Sequence, residues 1–196
     1  MVREVSIPMS RKSSETGALR LAGVSRTLSF SLPFATMLTL SAFLHTRNDA
    51  LRLGRCLETV YPCDEIVVVD HGSSDDTVHV AREFGAKIIG LGADAEDQKA
   101  FPPKSLISTQ WLLCLDPRES LSEALAASLF EWKTAAPDAS AYAIHLREEN
   151  AQGWIENPVP QTRLVPAGWD RWHGRFPRNQ RSSTTLAGKL LRFAFP

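Results

Sequence analysis

Ile66-Val67-Val68-Val69-Asp70-His71-Gly72-Ser73-Ser74-Asp75-Asp76-Thr77 is the stretch on which the fold turns. Its first four residues are β-branched and uninterrupted, the pattern of a strand buried on both faces of a parallel sheet. The run stops at a carboxylate, Asp70. Gly72 then supplies the backbone freedom of a tight turn. Ser73 or Ser74 is placed to cap a following helix, with Asp75 and Asp76 in its first turn, where negative charge is favoured. Strand, acidic turn and helix in succession predict an open α/β sheet, in which ligands bind at the carboxyl ends of the strands. A carboxylate there suits a ribose hydroxyl or the amino edge of a base. A phosphate would need a cation or backbone N–H groups beside it.

The flanking sequence repeats the pattern. Upstream, residues 38–44 read as a first strand. His45-Thr46-Arg47-Asn48-Asp49 follows, then a helix to about Val60 that Asn48 can cap, with Leu53, Leu57 and Val60 as its apolar stripe. Downstream, Phe84-Gly85 ends the second helix, and Lys87–Gly90 is a short third strand. Pro102-Pro103 makes residues 92–110 a loop or a shortened helix. Trp111-Leu112-Leu113-Cys114-Leu115-Asp116 is a second buried strand ending in a carboxylate. Ser120-Leu121-Ser122-Glu123 has the spacing of a capping box. The helix behind it carries Leu121, Leu125, Leu129 and Trp132 on one stripe and ends before Pro137. Tyr142, Ile144 and Leu146 then alternate with Ala143, His145 and Arg147, which is strand spacing.

The segments together resemble family 2 glycosyltransferases of the GT-A fold, in particular the lipopolysaccharide-core glucosyltransferase-like branch. Residues 64–90 are similar to that family's DEIVVVDxGSxDxT run. The His45–Asp49 turn is similar to its T-[KR]-N-[DE] turn, and Cys56-Leu57-Glu58-Thr59 to its CLxS string. The resemblance implies a Rossmann-like three-layer α/β sandwich with a mostly parallel sheet. It implies a nucleotide-sugar site lined by Thr46, Arg47, Asp70, Ser73, Asp75, Lys99, Asp116 and Arg118, with Asp70 and Asp75 on the nucleoside. It further implies Mg2+ or Mn2+ held by Asp116. Two departures bear on the chemistry. The family's Asp-x-Asp metal motif stands here as Asp116-Pro117-Arg118, with Glu119 behind it. Hard cations want several oxygen ligands, whereas a guanidinium pairs with phosphate directly, so Arg118 argues against the metal. The string W-x-G-x-x-H-E stands here as Trp172-His173-Gly174-Arg175-Phe176-Pro177-Arg178, without its His-Glu pair.

With 22 basic and 22 acidic residues in 196, the formal net charge is zero, and no global field favours nucleic acid. The balance hides an asymmetry. Residues 37–162 hold 10 Lys and Arg against 19 Asp and Glu, and residues 163–196 hold 7 against 1. Three scattered cysteines, Cys56, Cys63 and Cys114, form neither a disulfide framework nor a zinc site and read as buried free thiols of a reducing compartment. Residues 1–36 lack periodicity and read as a disordered leader. Residues 37–180 form the α/β domain, and residues 181–196 a basic-apolar tail. That tail reads as an interfacial helix on an anionic membrane, a packed terminal helix or a frayed end.

The expected activity is sugar transfer with inversion from a UDP- or GDP-sugar, in the cytoplasm or at the inner membrane face, to a cell-envelope acceptor. Glu148, Glu149, Glu156 and Asp170 are the candidate bases by location. The rival is a degenerate member that keeps the nucleotide pocket, or only the fold, as a binding or scaffold protein. A nucleotidyltransferase would show a Gly-rich loop after the first strand, and His45–Asp49 contains no Gly.

Overall fold

The computed structural model describes residues 37–91 and 105–196, all within one unit, Ala35–Pro196. The expected leader and Lys99 lie outside the described residues. The elements run β1 (Leu40–Thr46), α1 (Ala50–Thr59), β2 (Glu65–Asp70), α2 (Thr77–Glu83), β3 (Lys87–Gly90), β4 (Trp111–Leu115), β5 (Glu119–Leu121), α3 (Glu123–Thr134), β6 (Tyr142–Asn150), β7 (Gly153–Glu156), β8 (Gln161–Pro166), β9 (Trp172–His173), β10 (Phe176–Pro177) and β11 (Thr184–Arg192).

The main sheet has nine strands in the order β3-β2-β1-β4-β8-β6-β11-β5, with β7 on β6. Pairs β3–β2, β2–β1 and β1–β4 are parallel. Beyond β4 the sheet turns mixed, because β8 runs against both β4 and β6. Six strands still point one way and β5, β7 and β8 the other. The fold is an α/β sheet in which most strands share one direction.

Two apolar clusters bury the sheet. On one face Leu44, Val68 and Leu113 pack with Leu53 and Leu57 of α1, Ala81 of α2 and Leu125, Leu129 and Trp132 of α3. On the other, Phe43, Val67, Val69 and Leu112 are covered by Trp169, Trp172 and Phe176 around the β9–β10 hairpin. Alternate residues of one strand thus enter different clusters, as a pleat buried on both sides requires.

The structure corrects four local expectations. Asn48 does not cap α1. It sits in the left-handed region (φ 55°), its side-chain oxygen accepts from Ser74 N–H at 2.8 Å, and Asp49 is the N-cap. Neither Ser73 nor Ser74 caps α2. Ser73 is committed to Asp70, so the helix starts at Thr77 with Asp76 as N-cap, and Asp75 and Asp76 precede its first turn. The cap of α3 is Ser122 rather than Ser120, which lies in β5. The Ser122 hydroxyl accepts from Leu125 N–H at 3.3 Å and from Lys189 N–H at 3.0 Å. Finally, the tail is no helix. Thr184–Arg192 is a strand parallel to β6 and antiparallel to β5, with Leu190 fully buried. Gly188 (φ 91°) lets it pass under α3, where a Cβ would fall 2.2 Å from the Leu125 nitrogen. No helix among the described residues is long and apolar enough to cross a membrane.

Candidate functional site

The carboxyl ends of β2, β1 and β4 lie side by side. Thr46 and Asp70 are register partners in the last β1–β2 pair, and Leu44 faces Leu115, so Asp116 emerges beside His45. The two aspartates read from the sequence therefore flank one strand.

The β2 turn is held by its own carboxylates. Asp70 accepts from the Ser73 N–H at 3.1 Å and from the Ser73 hydroxyl. The Ser73 oxygen in turn accepts from Asn48 N–H at 2.9 Å. Asp75 accepts from Ala50 N–H at 3.2 Å and Thr77 N–H at 3.1 Å. Burial raises the Asp75 pKa, but the bond from the Thr77 hydroxyl and these backbone bonds together outweigh it and hold the carboxyl below its ordinary value. Asp49 receives the Thr46 hydroxyl at 3.1 Å and Arg47 N–H at 3.0 Å, and its own N–H donates to Thr77 Oγ1 at 2.8 Å. These residues bind the β1–α1 and β2–α2 turns into one block.

Next to that block is a cleft of about 300 Å³. His45, Asp49 and Arg52 line it from the β1–α1 side, Asp116 and Arg118 from the β4–β5 turn, and Arg175 from the β9–β10 hairpin. Of the residues expected at the site, the structure brings Asp116 and Arg118 into this cleft. Thr46, Arg47, Asp70, Ser73 and Asp75 do not line it; they build the adjoining turns. Arg118 donates from Nε to Asp116 Oδ1 at 2.9 Å and from Nη2 to Oδ2 at 3.2 Å. Burial opposes ionisation of Asp116, yet the Arg118 bonds hold its carboxyl below the usual range, and the same contact raises the Arg118 pKa.

Those contacts decide the fit of a divalent cation. Both oxygens of Asp116 are engaged by one guanidinium. Glu119, behind it, is fully buried and accepts from Arg163 at 2.9 Å, Arg192 at 2.6 Å and Asp116 N–H at 2.9 Å. Among the described residues no three His, Cys, Asp or Glu side chains gather as a metal group. The residues present do not fit Mg2+ or Mn2+, which need several free oxygen ligands.

Four features of the site are absent from the expectations drawn from sequence. His45 Nδ1 lies 2.9 Å from His71 Nε2. Burial, then His71 and Arg175, push the His45 pKa down to about 3, so it is neutral. Arg52 and Arg175 join the cleft, and Glu119 anchors its floor to β8 and β11. The Asp-x-x-Glu spacing of Asp116 and Glu119 was the one local signal for that anchor. The others depend on chain crossings that no local pattern announces.

The candidate bases separate. Glu156 pairs with Lys189, and Asp170 is an exposed partner of Arg171. Glu148 and Glu149 line a second cleft, of about 430 Å³, together with Arg118. Glu148 is held by Arg192, and among the described residues Glu149 accepts only from Ala194 N–H, at 3.3 Å. Residues 148–161, which hold three of these acids, are largely the β6–β7 hairpin and the turn after it. Cys56 and Cys114 are buried free thiols and Cys63 is half-buried; burial raises all three pKa values, those of Cys63 and Cys114 to about 12.

No family model matches the chain. It is 40% identical over 93 residues to an uncharacterized glycosyltransferase of Rickettsia typhi, covering 45% of this chain and 31% of that protein. It is 43% identical over 47 residues to the lipopolysaccharide core biosynthesis glycosyltransferase LpsC of Rhizobium meliloti, covering 24% of this chain and 17% of that protein. A TPR repeat-containing protein of Synechococcus elongatus matches over 147 residues at 33% identity, 74% of this chain and 35% of that protein. The chain spans about a third or less of the length of these relatives.

Proposed function

We propose that this GT-A domain of the family 2 glycosyltransferase type binds a nucleotide-diphospho-sugar at the ends of β1, β2 and β4 and transfers its sugar with inversion. The observation that carries the reading is the placement of Asp70 and Asp116 at the carboxyl ends of the two strands that flank β1, opening beside one polar cleft. That is where ligands sit in such sheets. The acceptor is a cell-envelope glycan or lipid-linked sugar, a reading supported by the similarity to LpsC.

In the step itself an acceptor hydroxyl oxygen bonds to the anomeric carbon as the bond from that carbon to the diphosphate oxygen breaks. The hydroxyl proton passes to a carboxylate base, and the diphosphate leaves with its charge stabilised by cations. Arg118 borders both clefts, so the cleft holding Glu148 and Glu149 is the natural acceptor side. Glu149 is the base of choice there, because Glu148 is neutralised by Arg192.

The second reading is a nucleotide-binding protein without transfer. Arg118 on Asp116, with Pro177 and Arg178 where relatives carry His-Glu, favours it. A coupled assay for nucleoside diphosphate release, run over UDP- and GDP-sugars with and without an envelope lipid fraction as acceptor, separates the two. Acceptor-stimulated release that is lost in Glu149→Gln supports transfer. Binding without release under every condition supports the second reading.

A further inference from the structure

The cleft beside β4 carries more positive than negative charge. Three guanidinium groups, Arg52, Arg118 and Arg175, face two carboxylates, Asp49 and Asp116, and His45 is neutral. Two of the arginines are already matched. Arg118 chelates Asp116, and Arg52 Nη1 lies 3.8 Å from Asp49 Oδ1. Arg175 makes no hydrogen bond or ion pair with the described residues. It is carried between β9 and β10, two residues pinned from below: Trp172 packs edge-on to Phe43 at 6.2 Å between ring centroids, and Phe176 lies over the Arg163 guanidinium at 4.0 Å. Gly174 (φ 58°) makes the turn tight enough to set Arg175 over the cleft. Arg175 is exposed on a hairpin whose flanking aromatics, Trp172 and Phe176, are half-buried against the sheet, and the fork geometry of its guanidinium suits two phosphate oxygens.

We propose that Arg175 is the diphosphate clamp of this site, acting with Arg118 and without a divalent cation. This rests on the nucleotide-sugar reading above and adds to it the group that takes the place of the metal. A cleft already net positive repels Mg2+ or Mn2+ and attracts a diphosphate. The positive charge of residues 163–196 thereby has a use: Arg163 and Arg192 neutralise Glu119 beneath the cleft, and Arg175 faces into it.

The test is calorimetric titration of the 196-residue chain with UDP, GDP and uridine, in EDTA and again in Mn2+, for wild type, Arg175→Ala and Arg175→Lys. Tight binding of UDP or GDP in EDTA, weakened about tenfold or more in Arg175→Ala and partly restored in Arg175→Lys, supports the clamp, since hydrogen bonds to charged groups contribute on that scale. The uridine affinity should not change in either variant, which separates a diphosphate contact from damage to the fold. Nucleotide binding that requires Mn2+, or that is the same in Arg175→Ala as in wild type, overturns the clamp and leaves the nucleotide-sugar reading standing. Binding of neither UDP nor GDP in either buffer overturns both.

Discussion

Arg118 closes on Asp116 through two side-chain hydrogen bonds, Nε to Oδ1 at 2.9 Å and Nη2 to Oδ2 at 3.2 Å, and its backbone N–H adds a third, to Oδ1 at 3.0 Å. A carboxylate so enclosed has little left to offer a cation. The side chain two positions after the strand-end aspartate therefore decides the chemistry of the cleft.

Replacing that guanidinium by a carboxylate should reverse the preference. In Arg118→Asp, Asp116 is released and a second acid stands two residues away, giving a hard cation oxygen ligands from one turn. We expect Mn2+ to bind this variant at least about tenfold more tightly than the wild type, with Arg118→Ala between them, because like charges so close favour a shared cation over mutual repulsion. Isothermal titration with Mn2+ reads the difference. Equal affinities in all three proteins would count against it.

Beneath the cleft, Glu119 joins three parts of the chain. It is fully buried, as is Arg163, and Arg192 reaches it from β11. Glu119→Gln leaves the buried Arg163 without its counter-charge, while Arg192 keeps Glu148. Removing one partner of a buried ion pair costs about 3–5 kcal/mol. Urea unfolding should show a loss of that size, and a loss under about 1 kcal/mol would mean that solvent reaches the network.

The contact of β11 with α3 is steric. A Cβ on Gly188 would sit 2.2 Å from the Leu125 nitrogen and 2.5 Å from its Cα, both backbone atoms that cannot rotate away. Its positive φ adds strain of about 1 kcal/mol for any other residue. Gly188→Ala should destabilise the fold by more than about 3 kcal/mol, a size reserved for such named clashes, while Gly153→Ala, which shares the positive-φ strain (φ 119°) but has open space around it, should cost less. Thermal melts of the two variants make the comparison.

Histidine gives the fold a pH dependence of definite sign. Burial, His71 and Arg175 depress the His45 pKa to about 3, and burial, Arg175 and Arg47 depress that of His71 against the opposing charge of Asp70. In the unfolded chain both titrate near about 6.5. The unfolded state thus binds more protons below that pH, so stability is complete above about pH 6.5 and declines as pH falls toward 3. We expect a decline of up to about 1.4 kcal/mol per pH unit for His45 between about pH 6.5 and 4.5, before the carboxylates titrate. His45→Gln should flatten that slope. An unchanged slope would mean that other groups carry it.

The parallel half of the sheet was legible because its signals are local. Four β-branched residues before Asp70, and Lys87–Gly90 after Phe84-Gly85, announce strands whatever packs on them, the first buried and the second a half-exposed edge. The helix starts were not, since several side chains compete for each cap and tertiary partners choose among them: Asp70 takes Ser73, and Ser74 takes the Asn48 side chain. Strand β11 was hidden for a related reason. Its register shifts between Thr185 and Lys189, so apolar and basic residues come in blocks and the alternation of a strand is lost. At the site, Asp116 announced itself by standing at a strand end, and Arg118 only by its place in a string that resembles the family's Asp-x-Asp motif. Arg175 reaches the same cleft through a hairpin folded across the opposite face of the sheet, and no pattern within residues 172–178 encodes that crossing.

Hydrogen exchange with and without UDP tests the location of the site most directly. Bound nucleotide should slow exchange in residues 45–52, 70–77 and 115–119 and in the Arg175 hairpin, and leave β7 and β11 unchanged. Protection confined to β7 and β11, or no protection at saturating UDP and GDP, would contradict a nucleotide site at the ends of β1, β2 and β4.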